Sequence, residues 1–220
     1  MIFYFKNKTT YLYPSNEQYE DSFTEITYDK HYNYSTADSI KPSLEYMEAH
    51  HMKQACCVVP IEYLSANYGN EEGIDKKYCD ANEIPYFYIN RTGGTIVMFP
   101  GNIIGDAIYA TDSVEIVGTF INDIFAFLSE NKLTPSFEGN DILIDNKKII
   151  GISFKKIIDG YYYFGVSISI NTDIELINKI CTKPMKKIPG ALSDYGITTE
   201  KVMNWLLEWF NVHQDIGEGE

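Results

Sequence analysis

The sequence predicts an α+β domain in which a mixed or antiparallel sheet is flanked by helices, and three observations lead there. Apolar segments separated by Asp145-Asn146 and by Asp159-Gly160 read as successive antiparallel strands, a meander. Two further runs, residues 113–130 and 199–210, repeat apolar residues at helical spacing. A chain of 220 residues with 45% hydrophobic and 22% charged side chains is long enough to bury one sizeable core.

Taken in order, residues 1–34 are rich in Tyr and Thr with short apolar alternations, the pattern of one or two edge strands joined by polar turns. Ser35, Thr36 and Asp38 offer N-caps, and a helix carrying Leu44 and Met47 begins near Pro42 and runs to His51. Residues 56–59 form an apolar strand, 60–73 a loop, 75–82 a short helix and 86–90 another strand. Gly93-Gly94 lies between strands, where a missing Cβ lets the backbone approach a ligand. Residues 113–130 carry Val117, Phe120, Ile121, Ile124 and Leu128 on one face, with Asn122, Asp123 and Ser129 among the polar positions. After a hairpin turning at Asp145-Asn146 come strands at 149–154 and 161–170. A short helix at 173–181 starts from Thr172 or Asp173, and 199–210 buries Val202, Met203, Leu206, Leu207 and Phe210. Trp205 and Trp209, four apart on that last helix, read as packing. The chain is expected to be one domain over 1–212, with the tail 213–220 frayed.

Composition excludes some functions. A net charge of -13, with 18 basic against 31 acidic residues, argues against a broad nucleic-acid surface, although a local basic pocket still suits a small anion. No apolar run approaches the roughly 18 residues of a membrane span, and the start Met1-Ile2-Phe3-Tyr4-Phe5-Lys6 lacks a secretory pattern, so a cytoplasmic location is expected. Cys56, Cys57, Cys79 and Cys181 form no C-x-x-C pair and are expected as free thiols. His50 and His51 are adjacent and would point about 100° apart on a helix, while His31 and His213 lie far off, so the histidines suggest no metal site.

The chemistry concentrates in residues 138–151. Asn140-Asp141 opens an apolar strand, the chain turns at Asp145-Asn146, and Lys148 returns on the next strand three residues before Gly151. A hairpin of this kind gathers a carboxylate, an amide and an ammonium, groups that hold a metal ion and meet a phosphate or carboxylate. That combination suits activation of an acid by a nucleotide. By itself the pattern also fits solvated turn residues.

The segment resembles the Asn-Asp…Lys-x-x-Gly stretch of the biotin and lipoate protein ligase family, and the order of surrounding elements is similar to that family over roughly residues 30–212. The resemblance implies a class II synthetase-like catalytic domain and an ATP-dependent ligase that forms an acyl-adenylate. The acyl group would then pass to a lysine of a lipoyl or related acyl-carrier domain. It implies that Lys148 contacts the carboxylate and phosphate of the adenylate, that Asn140 and Gly151 line the nucleotide site, that Asp141 holds Mg²⁺, and that ATP and a small carboxylic acid are the substrates.

A second stretch, Arg91-Thr92-Gly93-Gly94-Thr95-Ile96-Val97-Met98-Phe99, resembles the Arg-Arg-x-x-Gly-Gly-Gly-x-Val-x-His loop of lipoate ligases, which lines the acyl-adenylate pocket. Asn90 replaces one arginine, Thr95 the third glycine and Phe99 the histidine; Gly101-Asn102 matches the Gly-Asn that follows. The resemblance implies ligand contacts from Arg91, Gly93, Gly94 and Thr95. The strand 163–171 is similar to the His-Gly-x-x-x-Asn strand of octanoyltransferases and ligases, with Phe164 in place of histidine. No cysteine falls on it, which disfavours transfer through a thioester. A ligase-like binding protein without catalysis, a relative of the octanoyl or biotinyl transferases, and a ligase needing a second polypeptide remain alternatives. Lys183, Lys186 and Lys187 offer a local basic patch for an acidic carrier.

Overall fold

The computed structural model describes residues 2–6, 9–13, 33–34, 44, 47–49, 51, 53–68, 73–89, 95–111 and 114–213. In chain order the strands are β1 (Ile2–Lys6), β2 (Thr9–Tyr13), β3 (Asn33–Tyr34), β4 (Gln54–Pro60), β5 (Ser65–Tyr68), β6 (Tyr86–Ile89), β7 (Ile96–Met98), β8 (Ile103–Ala110), β9 (Pro135–Glu138), β10 (Asp141–Ile144), β11 (Lys147–Ile158) and β12 (Tyr161–Ile168). The helices are α1 (Lys76–Ala81), α2 (Glu115–Glu130), α3 (Ile174–Ile180) and α4 (Thr199–Val212).

Eight strands form one sheet in the order β2-β1-β4-β8-β12-β11-β10-β9, antiparallel throughout except where β1 runs parallel to β4. Four more form a mixed sheet, β3-β6-β5-β7. The meander expected from Asp145-Asn146 and Asp159-Gly160 is the β10-β11-β12 portion. Both Asp145 and Asn146 take positive φ, 50° and 61°, the requirement of a type I′ hairpin turn.

One face of the large sheet carries Cys56, Val58, Ala107, Tyr109, Ile150, Ile152, Phe164, Val166 and Ile168, and α2 and α4 cover it. Phe120 of α2 meets Phe164 and Trp209 edge-on, with ring centroids 5.2 and 5.0 Å apart. The indole N–H of Trp209 donates to Asp123 on α2 at 2.9 Å, which ties the helices together on their outer side. Gly105 of β8 makes room for this layer: a Cβ there would stand 2.9 Å from Leu206 and 3.2 Å from Phe210. The N-cap expected at Thr172 or Asp173 forms at Asp173, whose carboxylate accepts from Leu176 N–H; Asp75, expected as the first residue of its helix, instead caps α1 by accepting from Tyr78 N–H.

Several expectations need correction. Residues 60–73 are not all loop, because β5 lies within them and pairs with both β6 and β7. The sequence reading assigned no element to β8 or β9, yet β8 is central to the large sheet. Of the helix expected from Pro42 to His51, Leu44 and Met47–Ala49 are described and helical, and Met47 is fully buried. The tail beyond His213 lies outside the described residues.

Candidate functional site

The opposite face of the large sheet is where the polar residues gather. Asp141 is the first residue of β10 and pairs with Gly151 of β11, but the register slips between Ile142 and Leu143, so that Ile142 faces Ile150 and Leu143 faces Lys148. This bulge decides the site. In a regular strand residues three apart point to opposite faces, whereas the extra residue sends both Ile149 and Ile150 into the core and brings Lys148 to the same side as Gly151. A Cβ on Gly151 would lie 3.1 Å from Lys148 Nζ and 3.0 Å from Ser167 Oγ, so the ammonium lies across the glycine.

Lys148 Nζ is 2.8 Å from Asp141 Oδ1. The other oxygen of Asp141 meets a second ammonium, Lys187 Nζ, at 3.1 Å; Lys187 also donates to the carbonyl of Glu138 at 2.7 Å and lies 3.7 Å from its carboxylate. Lys187 arrives because residues 188–190 run alongside the start of β11: Lys148 N–H donates to Ile188 O and Gly190 N–H donates to Lys148 O, both at 2.8 Å. A side chain at Gly190 would collide with Ile149 at 2.6 Å and Lys147 at 2.8 Å, so only glycine permits this approach. Of the two lysines Lys187 is the more buried, its side chain 21% exposed against 40% for Lys148.

Among the expected site residues, the structure thus brings Lys148, Asp141 and Gly151 together. Asn140 is exposed in the two-residue turn between β9 and β10, and its carbonyl accepts from Ile152 N–H at 2.8 Å. Thr95 immediately precedes β7; its hydroxyl is buried and finds no hydrogen-bond partner among the described residues. Arg91, Gly93 and Gly94 lie outside the described residues. No group of three or more His, Cys, Asp or Glu converges to hold a metal ion among the described residues.

Two motif residues turn out to be architectural. Asn102 is 3% exposed and its side-chain oxygen accepts from Ile170 N–H at 2.9 Å and Asn171 N–H at 2.8 Å, which fastens the β7-β8 turn to the end of β12. Asn171 returns a bond to Pro100 O, and Thr199 to Gly101 O. Phe164, which stands in place of the histidine of the related strand, is fully buried against Phe120, Trp209 and Phe210 on the helical face, away from Lys148.

Sequence reasoning missed the company that Lys148 keeps on its own face: Lys187, placed only in a carrier-binding patch, and Ser167, Gly165, Ser153, Tyr163 and Asp106. The register places Ser167 opposite Gly151, and Gly165 opposite Ser153 on one side and Asp106 on the other. The signal was the alternation in β11 and β12, where Gly151, Ser153, Tyr163, Gly165 and Ser167 interleave with core Ile, Phe and Val residues.

The arrangement places two ammoniums on one carboxylate, donors of the kind that meet a carboxylate or a phosphate. The fold is similar to that of solved ligases. A bi-partite lipoate protein ligase from Thermoplasma acidophilum superposes with a TM-score of 0.60 at 19% identity, over 83% of this chain and 82% of that one. A lipoate-protein ligase A bound with ATP gives 0.62 at 17% identity over 83% of each chain. LipL1 of P. falciparum in complex with lipoate gives 0.62 at 14% identity, over 86% of this chain and 62% of that one. No curated protein matches the sequence. The model of the lipoyl protein ligase A/B catalytic domain matches residues 66–216, a span that runs from within β5 and includes the whole Asp141–Lys148 hairpin. With more than half of its length inside that match, this chain belongs to the lipoyl protein ligase A/B catalytic domain family.

Proposed function

We propose that the protein is an ATP-dependent ligase that activates a small carboxylic acid as its acyl-adenylate and transfers the acyl group to a lysine of a lipoyl-type carrier domain. The observation that carries this reading is the placement of Lys148 over Gly151, 2.8 Å from Asp141, on the sheet face opposite α2 and α4. Family membership and the likeness to a fold solved with ATP, with lipoate and, in the archaeal system, alongside its E2 lipoyl domain support it.

In the first step a carboxylate oxygen of the acid attacks the α-phosphorus of ATP and pyrophosphate leaves. Lys148 binds the carboxylate and the α-phosphate oxygens, and its ammonium stabilises the negative charge that builds on the phosphorus centre. Lys187 adds a second positive charge from the 188–190 side of the hairpin. In the second step the neutral amine of the carrier lysine attacks the acyl carbonyl, AMP departs, and the amine gives up a proton. The described residues do not fit a Mg²⁺ ion at Asp141: its two oxygens face the ammoniums of Lys148 and Lys187 at 2.8 and 3.1 Å, and the positive charge beside the phosphates comes from those lysines.

The test is incubation of the purified chain with ATP, Mg²⁺ and, separately, lipoate, octanoate and biotin, with the adenylate read by mass spectrometry. An adenylate that forms in the wild type and disappears in Lys148→Ala is the expected result. Absence of adenylate and of ATP binding in the wild type overturns the reading in favour of a binding protein built on the ligase fold.

A further inference from the structure

The run from residue 176 to residue 193 carries Lys179, Lys183, Lys186 and Lys187 and no acidic residue, in a chain whose net charge is -13. Its later part borders the reacting group: Lys148 N–H donates to Ile188 O, Gly190 N–H donates to Lys148 O, and Lys187 Nζ lies 3.1 Å from Asp141. Lys187 is thereby taken up by the site. The residues on either side of it are exposed, Ile188 at 59%, and Lys186 holds no ion pair among the described residues. Across β11, on the β10 side, the end of β9 presents the exposed carboxylate of Glu138. The rim of the site is therefore acidic on one flank and basic and apolar on the other.

Acyl transfer brings a second protein to this rim. A lysine side chain spans about 6 Å from Cα to Nζ, so a carrier whose lysine attacks a carbonyl held at Lys148 rests its body on the residues that border Lys148. Charge decides which flank receives it. A domain with carboxylates beside its acceptor lysine is repelled by Glu138 and by the negative surface at large, and is drawn to Lys186. Ile188, two residues on, adds an apolar contact within a polar rim, a composition suited to a partner that must bind and then leave.

Resting on the ligase reading above, we infer that Lys186 and Ile188 form the docking surface for the acyl carrier, and that this partner is an acidic domain whose carboxylates flank its acceptor lysine. The surface acts on KM for the carrier and on the salt dependence of transfer. Adenylate formation is left alone by Lys186, which takes no part in the cluster of Lys148, Asp141 and Lys187.

The experiment uses the acid that forms an adenylate in the assay above and, as acceptor, an unmodified lipoyl domain with carboxylates beside its lysine, together with a version in which those carboxylates are amides. Transfer is followed by the mass of the acceptor in the wild type, Lys186→Glu, Ile188→Ser and Lys201→Glu, the last making the same charge change on α4, on the opposite face of the sheet. Lys186→Glu should raise KM for the acidic acceptor about tenfold while adenylate formation stays within about twofold of wild type, and Ile188→Ser should raise that KM severalfold. The amide acceptor should show a raised KM in the wild type and no further rise in Lys186→Glu. Lys201→Glu should match the wild type. A KM unmoved by Lys186→Glu, or moved as far by Lys201→Glu, would overturn the inference and leave the ligase reading standing. Equal use of the acidic and amide acceptors by the wild type would do the same. No adenylate from any acid in the wild type overturns the ligase reading and the inference with it.

Discussion

Lys148 and Asp141 sit on neighbouring strands with Nζ and Oδ1 2.8 Å apart, and the carboxylate that anchors Lys148 on one oxygen holds Lys187 on the other. Because the two cations share one partner, their effects are coupled. Lys148→Ala should lower the rate of adenylate formation by about 10²–10³-fold, the scale of losing a charge aimed at a transition state. Its stability cost should stay below about 1 kcal/mol, since the pair is partly exposed. Lys187→Ala should cost less, mostly in KM for ATP. The double variant should lose less than the product of the two, which a double-mutant cycle on adenylation rates reads directly. Strict multiplication would show that the lysines act independently.

Gly151→Ala tests whether the lysine must lie where it does. The added Cβ meets Ser167 Oγ at 3.0 Å and the Lys148 Nζ and Cε at 3.1 and 3.3 Å, all ends of side chains that can shift. The melting temperature should therefore change little, while adenylation falls at least about tenfold because the ammonium moves by a fraction of an ångström. An alanine variant with full activity would show that Lys148 works from another position.

The family signature was legible as letters and opaque as geometry. Lys148 and Gly151 stand three apart, which in a regular strand separates them, and only the bulge at Ile149 unites them. A bulge leaves no mark on apolar periodicity, since both Ile149 and Ile150 are simply apolar. Lys187 joined the site through a tertiary event, the docking of residues 188–190 against β11 that Gly190 permits. Strand β8 escaped notice because Gly105 and Asp106 interrupt its apolar run. Those two residues are there for opposite reasons: Gly105 admits Leu206 and Phe210 on the helical face, and Asp106 faces the site. The α2 and α4 helices, whose apolar stripes are long and uninterrupted, were legible nearly to their ends.

Asn102→Ala should destabilise the fold without a direct effect on chemistry. Removing its oxygen leaves the N–H groups of Ile170 and Asn171 without that acceptor beside a buried turn, at about 1–3 kcal/mol each. Thermal unfolding should fall by roughly 5–15 °C for a chain of this size. Asn171→Ala removes one exposed bond to Pro100 and should cost only a few degrees. Equal losses from the two would place the weight of the junction elsewhere.

Cys56 gives the protein an alkaline limit. It lies in the helical core at 4% exposure, and burial pushes its thiol from 9.0 up to about 11. The folded state thus holds a proton that the unfolded chain releases near pH 9. Stability from this group is fully present below pH 9 and is lost as the pH rises through about 11, by up to roughly 3 kcal/mol. Tyr109 accepts a hydrogen bond from Gln54 at 2.7 Å, and burial raises its phenol further, so the thiol titrates first. Melting temperatures should therefore drop between pH 9 and 11 in the wild type. In Cys56→Ala, which starts lower because of the cavity, the curve over the same interval should be flatter. Parallel curves for the two proteins would show that another group sets the limit, as would rapid alkylation of Cys56 in the folded protein below pH 9.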